Sequence, residues 1–253
     1  MAVEVVLKDG STVSDARLGR LPEFDERSKE PKYRAVRGIE DRPLRSFSYR
    51  TPEHFDQKNQ GSCCGHRAAH ELIARYASTK GVTQADAVRL YLYSQEFCDE
   101  WEGGEYPGAS PVYSGSSNLG VCKAVMALYP DDIAGFEHCF GIKDVLLALS
   151  YKGGIGVGLN WRRGMSQPDE NGFIYNEGVL DGGHSVWVKG QKLVFMERKV
   201  TKTWEHLDTL RSYVKIHNSW SEDFGDGGDV YLSVGELDAL LQEDGDAQRF
   251  LRK

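Results

Sequence analysis

The sequence has no strongly basic stretch: 31 Lys and Arg stand against 38 Asp and Glu, for a net charge of −7. Nucleic acid is therefore not an expected partner, because binding it takes a Lys/Arg patch that displaces counterions. No apolar run approaches the roughly 20 residues needed to span a bilayer, so no membrane partner is expected. The first 15 residues, MAVEVVLKDGSTVSD, carry neither a basic n-region nor a long apolar h-region. No signal peptide is expected from them, and the reading is a soluble protein of a cytoplasm. Cysteine is scarce too. There are five, at 63, 64, 98, 122 and 139, an odd number with no C-x-x-C pair of the zinc or redox kind. In a reducing compartment they are expected as free thiols. Residues 220–247 lack Lys and Arg altogether while holding nine carboxylates, which reads as a solvated acidic face rather than a metal site.

What is present fits one large domain or two lobes around a cleft. Residues 1–50 open with a hairpin pattern, VEVVLKDGSTVSDAR, turning at Asp9-Gly10, and continue as an extended arm with mixed charge and prolines. Residues 51–152 read as a helical lobe. From Ser62, the spacing of Ala69, Leu72, Ile73 and Tyr76 predicts a helix with one buried face. Further helices are expected over 83–100, 118–129 and 142–150. Residues 153–253 turn β-rich, with short glycine-separated segments such as GGIGVGLNW, GGHSVWVKGQ and YVKIHNSW. A last helix, about Val234 to Leu241, carries Ser233 and Glu236 as a capping box. The fold class is α+β, with a cleft where the two halves meet.

The stretch DQKNQGSCCGHRAAHEL (56–72) concentrates chemistry at a loop-to-helix junction. A nucleophilic cysteine needs a helix N-terminus or an imidazolium to stabilise its thiolate. It also needs a base within reach, a group to orient that base, and donors for the oxyanion. Gly61-Ser62-Cys63 meets the first demand. Here the residues resemble the papain-like cysteine peptidases. Gln57-(five residues)-Cys63 has that family's spacing between oxyanion-hole glutamine and nucleophile, without a gap. DGGHSVWVKG (181–190) resembles the strand that bears the catalytic histidine, and KIHNSWSEDFGDGGDVYL (215–232) is similar to the Asn-Ser-Trp block. His184 and Asn218 follow Cys63 by 121 and 155 residues, near the papain-type separations. The likeness covers most of the chain and is greatest to an actinobacterial and bacteriophage branch, through LPEFDERS, CCGHRAAHEL, DVLLALSYKGGIGVGLNW and GGDVYLSVGELDALLQEDG. The chain departs from the pattern at Cys64, His66 and His217.

The resemblance implies a two-lobed papain-like fold, helical in the N-terminal lobe and an antiparallel sheet or barrel in the C-terminal lobe. It implies Cys63 as nucleophile, His184 as base and acid, Asn218 as the group orienting His184, Gln57 as oxyanion donor and Trp220 as an apolar cover. The activity implied is cleavage of peptide bonds through a thioester, in a peptide or protein substrate. A papain-type pair can lower the thiol pKa to about 3–4. No metal and no organic cofactor is expected. Membership of the phage branch would place the protein in a host cytoplasm or a virion, with a virion or host-protein partner left open. Cys64 reads as packing, and His66, His70 and His138 as satisfied core or surface histidines. GEYPGAS (104–110) is expected to border the cleft, and YSGSS (113–117) to be an ordinary turn. No inhibitory propeptide of the usual kind is evident. Two other readings stay open: a non-catalytic structural or virion protein of the same fold, and a cysteine transamidase or cell-wall peptide hydrolase.

Overall fold

The structure, a computed structural model, describes residues 5–6, 12–13, 15–26, 30–75, 79–197 and 201–253. Strands β1 (Val5–Val6) and β2 (Thr12–Val13) pair antiparallel, as a hairpin requires; its Asp9-Gly10 turn lies outside the described residues. Strand β3 (Arg20–Leu21) and strand β4 (Phe47–Ser48) follow in the arm.

Helix α1 (Cys63–Ile73) begins directly after Ser62. The expected apolar face is present in Ala69, Leu72 and Ile73, all buried, while Tyr76 lies outside the described residues. The helix goes further than its periodicity says, because all 11 of its residues are buried. Part of its polar side is paired within the helix and with the C-terminal segment: Arg67 pairs with Glu71 at 3.3 Å, and Glu71 Oε1 accepts the Phe250 N–H at 2.7 Å. Helix α2 (Gln84–Phe97) starts in a capping box in which the Thr83 N–H donates to Asp86 at 2.9 Å. The short strand β5 (Ser116–Ser117) leads into helix α3 (Asn118–Leu128), capped by Ser117 Oγ accepting the Gly120 N–H.

Strand β6 (Ile133–His138) then interrupts the helices, ahead of α4 (Ile142–Tyr151). The rest of the sheet is β7 (Ile155–Arg162), β8 (Leu180–Lys192), β9 (Tyr213–His217), β10 (Asp229–Ser233) and the C-terminal β11 (Asp246–Arg252). Helix α5 (Val234–Glu243) carries the predicted cap, with Ser233 Oγ accepting the Glu236 N–H at 3.1 Å. The order is β10-β9-β8-β7-β11-β6, with β4 on the far end of β8, and every pairing within it is antiparallel. The long β8 is central because it pairs with both β7 and β9, and that sets the neighbours of His184: Leu159 faces it from β7.

Two apolar cores result. One lies among α1, α2 and α3; the other packs the sheet against α4 and α5 and takes in Leu18, Leu21, Ala35 and Val36 from the N-terminal arm. Burying a leucine side chain stabilises by about 1.5–3 kcal/mol, so Leu18 and Leu21 hold their segment firmly against the body. Among the described residues no helix is long and apolar enough to cross a membrane.

Candidate active site

Cys63 is the first residue of α1, where unpaired backbone N–H groups and the positive end of the helix dipole favour a thiolate. It is fully buried. Burial pushes its thiol up, but the neighbouring Cys64, the charge of His184 and the Gly19 backbone pull the other way and bring it well below the usual cysteine range. Cys64, one position on, is driven the other way by burial and by Cys63 itself, and its S–H donates to the Ser116 carbonyl at 3.3 Å. The two adjacent thiols are thus displaced in opposite directions.

His184 stands on β8, buried, with Nε2 2.8 Å from Asn218 Oδ1. Because that oxygen only accepts, Nε2 carries the proton and the lone pair of the neutral ring sits on Nδ1. Nδ1 makes no hydrogen bond among the described residues, to Cys63 Sγ included, and is the ring nitrogen left free for a partner. Asn218 follows β9, and its Oδ1 also accepts the Ser219 N–H at 2.8 Å, which fixes the amide. Trp220 lies over the imidazole at 5.0 Å between centroids, and Trp161 of β7 meets it edge-on at 4.8 Å. Two indoles therefore exclude water from the His–Asn bond, where a lower dielectric strengthens it.

Gln57 is oriented by Ser219, whose hydroxyl donates to Oε1 at 2.6 Å, while the Gln57 N–H donates to the Ser219 carbonyl at 2.8 Å. The amide NH2 is consequently turned the other way, toward the carbonyls of Gln60 and Arg17. A buried thiol at a helix start, an imidazole oriented by a carboxamide and a second carboxamide presenting N–H groups are the group types that a nucleophile, a base and an anion donor require.

No protein-family model and no curated protein sequence matches the chain. Solved structures do. Xylellain, a cysteine protease from Xylella fastidiosa, aligns with a TM-score of 0.61 at 15% identity, over 94% of this chain and 97% of that one. A procathepsin B from Trypanosoma congolense gives 0.56 at 14%, over 94% and 84%. The bromelain protease from Ananas comosus gives 0.52 at 14%, over 80% and 94%. The fold is papain-like.

Across the cleft of this papain-like fold runs the chain's own N-terminal segment. Arg17 O accepts from the Gln57 amide at 3.0 Å, and its guanidinium lies 3.9 Å from the Trp220 ring centroid. Gly19 O accepts the Ser116 N–H at 2.8 Å, and Arg20-Leu21 pairs in parallel with Ser116-Ser117. The fit depends on glycine. A Cβ on Gly19 would overlap Gly61, whose Cα would be only 2.8 Å away, and one on Gly183 would overlap the Arg20 carbonyl. Arg20 forms a buried ion pair with Asp246 and donates to the Asp244 carbonyl at 2.7 Å. Asp246 in turn accepts from Asn118 Nδ2 at 2.6 Å, and Asn118 Oδ1 accepts from Ser185 Oγ at 2.6 Å and from Arg67 at 3.0 Å. The segment is thereby wired to the residue next to His184.

Several sequence expectations change. No motif marks residues 17–21 as lying across the cleft, yet they do, through backbone and glycine contacts together with the Arg17 and Arg20 side chains. YSGSS is not an ordinary turn: Ser114 and Gly115 abut Gly61, and Ser116-Ser117 is a strand lining the cleft. GEYPGAS reaches the site only at one remove, through Glu105, which accepts from Gln60 at 3.4 Å and from Tyr91. The acidic run is not wholly a solvated face, since Asp229 and Asp246 are buried in ion pairs with Lys189, Lys215 and Arg20. His66 is a satisfied buried histidine, between the Ser62 carbonyl at 3.0 Å and the Gln84 amide at 2.8 Å. Trp161 was not singled out from the sequence; a lone tryptophan on a β-rich run gives no signal that it faces an imidazole.

Proposed function

We propose that the chain is a cysteine peptidase acting on extended peptide or protein substrates through Cys63, His184 and Asn218. The observation that supports it most is geometric: Cys63 opens α1 at the helix N-terminus, and the His184 ring is held by Asn218 at 2.8 Å under Trp220. In the proposed reaction the Cys63 thiolate attacks the scissile carbonyl. The Gln57 amide and the Cys63 N–H hold the oxyanion, and His184 delivers its Nδ1 proton to the leaving amine. Water, deprotonated by His184, then hydrolyses the thioester and restores the thiol. The ability of Ser116-Ser117 at the cleft to pair with the Arg20-Leu21 backbone supports a peptide as the substrate class. Membership of the actinobacterial and phage branch, with a cytoplasmic or virion location, belongs to the same proposal on the motifs quoted above.

The described form is its resting, closed state. Gln57 grips the carbonyl of the Arg17–Leu18 peptide, whereas the sulfur meets the N–H of the Leu18–Gly19 peptide. The segment thereby occupies the amide donor that an oxyanion would use. The test is labelling with an epoxide or iodoacetamide near neutral pH. Cys63→Ala is expected to abolish labelling and peptide turnover, and Cys64→Ala to leave labelling largely intact; the reverse pattern overturns the assignment.

A further inference from the structure

Three histidines that the proposed reaction does not use meet behind Trp220. His54 lies in the loop before α1, His70 on α1 and His217 at the end of β9, one position before Asn218. One ring nitrogen from each falls within 4.8 Å of the others. His54 Nε2 is 2.6 Å from the Trp220 carbonyl, and His217 Nδ1 is 2.6 Å from Asp229 Oδ1. A carbonyl only accepts, and the other oxygen of Asp229 is held by Lys189 and Lys215 at 2.8 and 3.0 Å, as suits a carboxylate. Both outer nitrogens therefore carry N–H. Their inner partners, His54 Nδ1 and His217 Nε2, are left facing each other as lone pairs at 3.3 Å.

Two bare lone pairs at that distance repel, so the arrangement calls for a positive centre between them. The separation suits a metal ion. Zinc–imidazole bonds of about 2.0–2.1 Å set two tetrahedral ligand nitrogens roughly 3.3–3.4 Å apart. The outer bonds suit it as well, because a metal-binding imidazole characteristically donates its other N–H to a carboxylate or backbone carbonyl. The third ring points the same way. His70 is fully buried, its ring 4.5 Å from that of His217, and its Nδ1 has no partner. Its Nε2 accepts the Phe55 N–H at 2.9 Å, so coordination costs it either that bond or the Nδ1 proton. His70 is the weakest of the three ligands. A cavity of about 460 Å³, bordered by Glu53, Lys189 and Glu222, opens on His54 and His217 and leaves room for a water as fourth ligand.

We propose that His54, His217 and His70 bind one divalent late transition-metal ion, Zn2+ by chemical class, which clips α1 and the loop before it to β9. An all-imidazole donor set selects zinc, copper or nickel over magnesium or calcium, which take oxygen ligands. The clip would tie together the segments that carry Gln57, Cys63 and Asn218. It does not depend on the peptidase reading.

The test uses the metal-free full-length chain carrying Cys63→Ala, which removes the active-site thiolate as a competing ligand. Equilibrium dialysis against ZnCl2 should give one ion per chain and a raised melting temperature. Co2+ should give the visible bands of a tetrahedral site without thiolate charge transfer. His54→Gln and His217→Gln should weaken binding by at least about 10–100-fold, and His70→Gln less. His54 is half-buried, so His54→Gln should fold, as circular dichroism will report. Should it not, ring 15N shifts in the unaltered histidines during Zn2+ titration identify the ligands directly. No stoichiometric binding, ring shifts at other histidines, or binding that survives His54→Gln overturns the site and leaves only a proton between the two rings.

Discussion

Gly19→Ala isolates the role of the segment lying in the cleft, because Gly19 touches the site by its backbone alone. The added Cβ would overlap Gly61, which is backbone and cannot swing aside. Overpacking of this kind costs about 1–3 kcal/mol. Here the cost falls on the closed state alone, since the open segment has room. At about 1.4 kcal/mol per factor of ten, the open-to-closed ratio should rise roughly 5- to 150-fold. When the segment closes faster than a reagent reacts, the alkylation rate of Cys63 follows that ratio. The assay is iodoacetamide labelling read by peptide mass mapping, which separates Cys63 from the half-buried Cys98. Burial pushes the Cys98 thiol up to about 11, so it should react slowly in both proteins. Turnover of a peptide substrate should rise in parallel, and thermal stability should fall. A folded Gly19→Ala chain that alkylates Cys63 no faster than the parent would refute the closed-cleft argument.

Kinetics should rank the site: Cys63→Ala and His184→Ala each lose about 10⁴–10⁶ in turnover, and the double variant loses little more. Gln57→Ala should lose about 10²–10³, and Asn218→Ala least, since it only orients the ring. Arg20→Ala leaves Asp246 without its buried charge partner, and breaking such a pair costs about 3–5 kcal/mol. Denaturant melts should show that loss while Cys63 labels faster, two effects of opposite sense from one change. Burial lowers His66 to about 4 from its ordinary 6.5, so the unfolded chain binds the extra proton between those values. Stability from this group is complete above about pH 6.5 and declines as pH falls toward 4, by roughly 3 kcal/mol in all. His66→Gln should flatten that part of the stability–pH curve.

What could be read beforehand was chemistry confined to short segments. Gln57, Cys63, His184 and Asn218 each sit in a local pattern whose spacing reflects one element, and the helix over Cys63–Ile73 announces itself through Ala69, Leu72 and Ile73. What could not be read depends on distant segments approaching closely. Gly19, Gly115 and Gly183 are unremarked until the fold brings their backbones against neighbouring segments. His54, His70 and His217 are separated by intervals that match no ligand motif. The burial of Arg67 and Glu71 likewise has no periodic signature, because polar residues enter a core only where a partner from another element meets them.

Asn118 has a wider consequence. One side-chain amide at the start of α3 holds Arg67 of α1, Ser185 of β8 and Asp246 of β11, so both apolar cores draw on the same few polar bonds. Two separate cores ordinarily invite two melting steps. Here, loosening either core strands buried polar groups that belong to the other, a penalty of about 1–3 kcal/mol for each group left unmade. The lobes are therefore expected to melt as one cooperative unit, and in the proposed closed state the cleft is freed by release of a segment rather than by one lobe melting ahead of its neighbour.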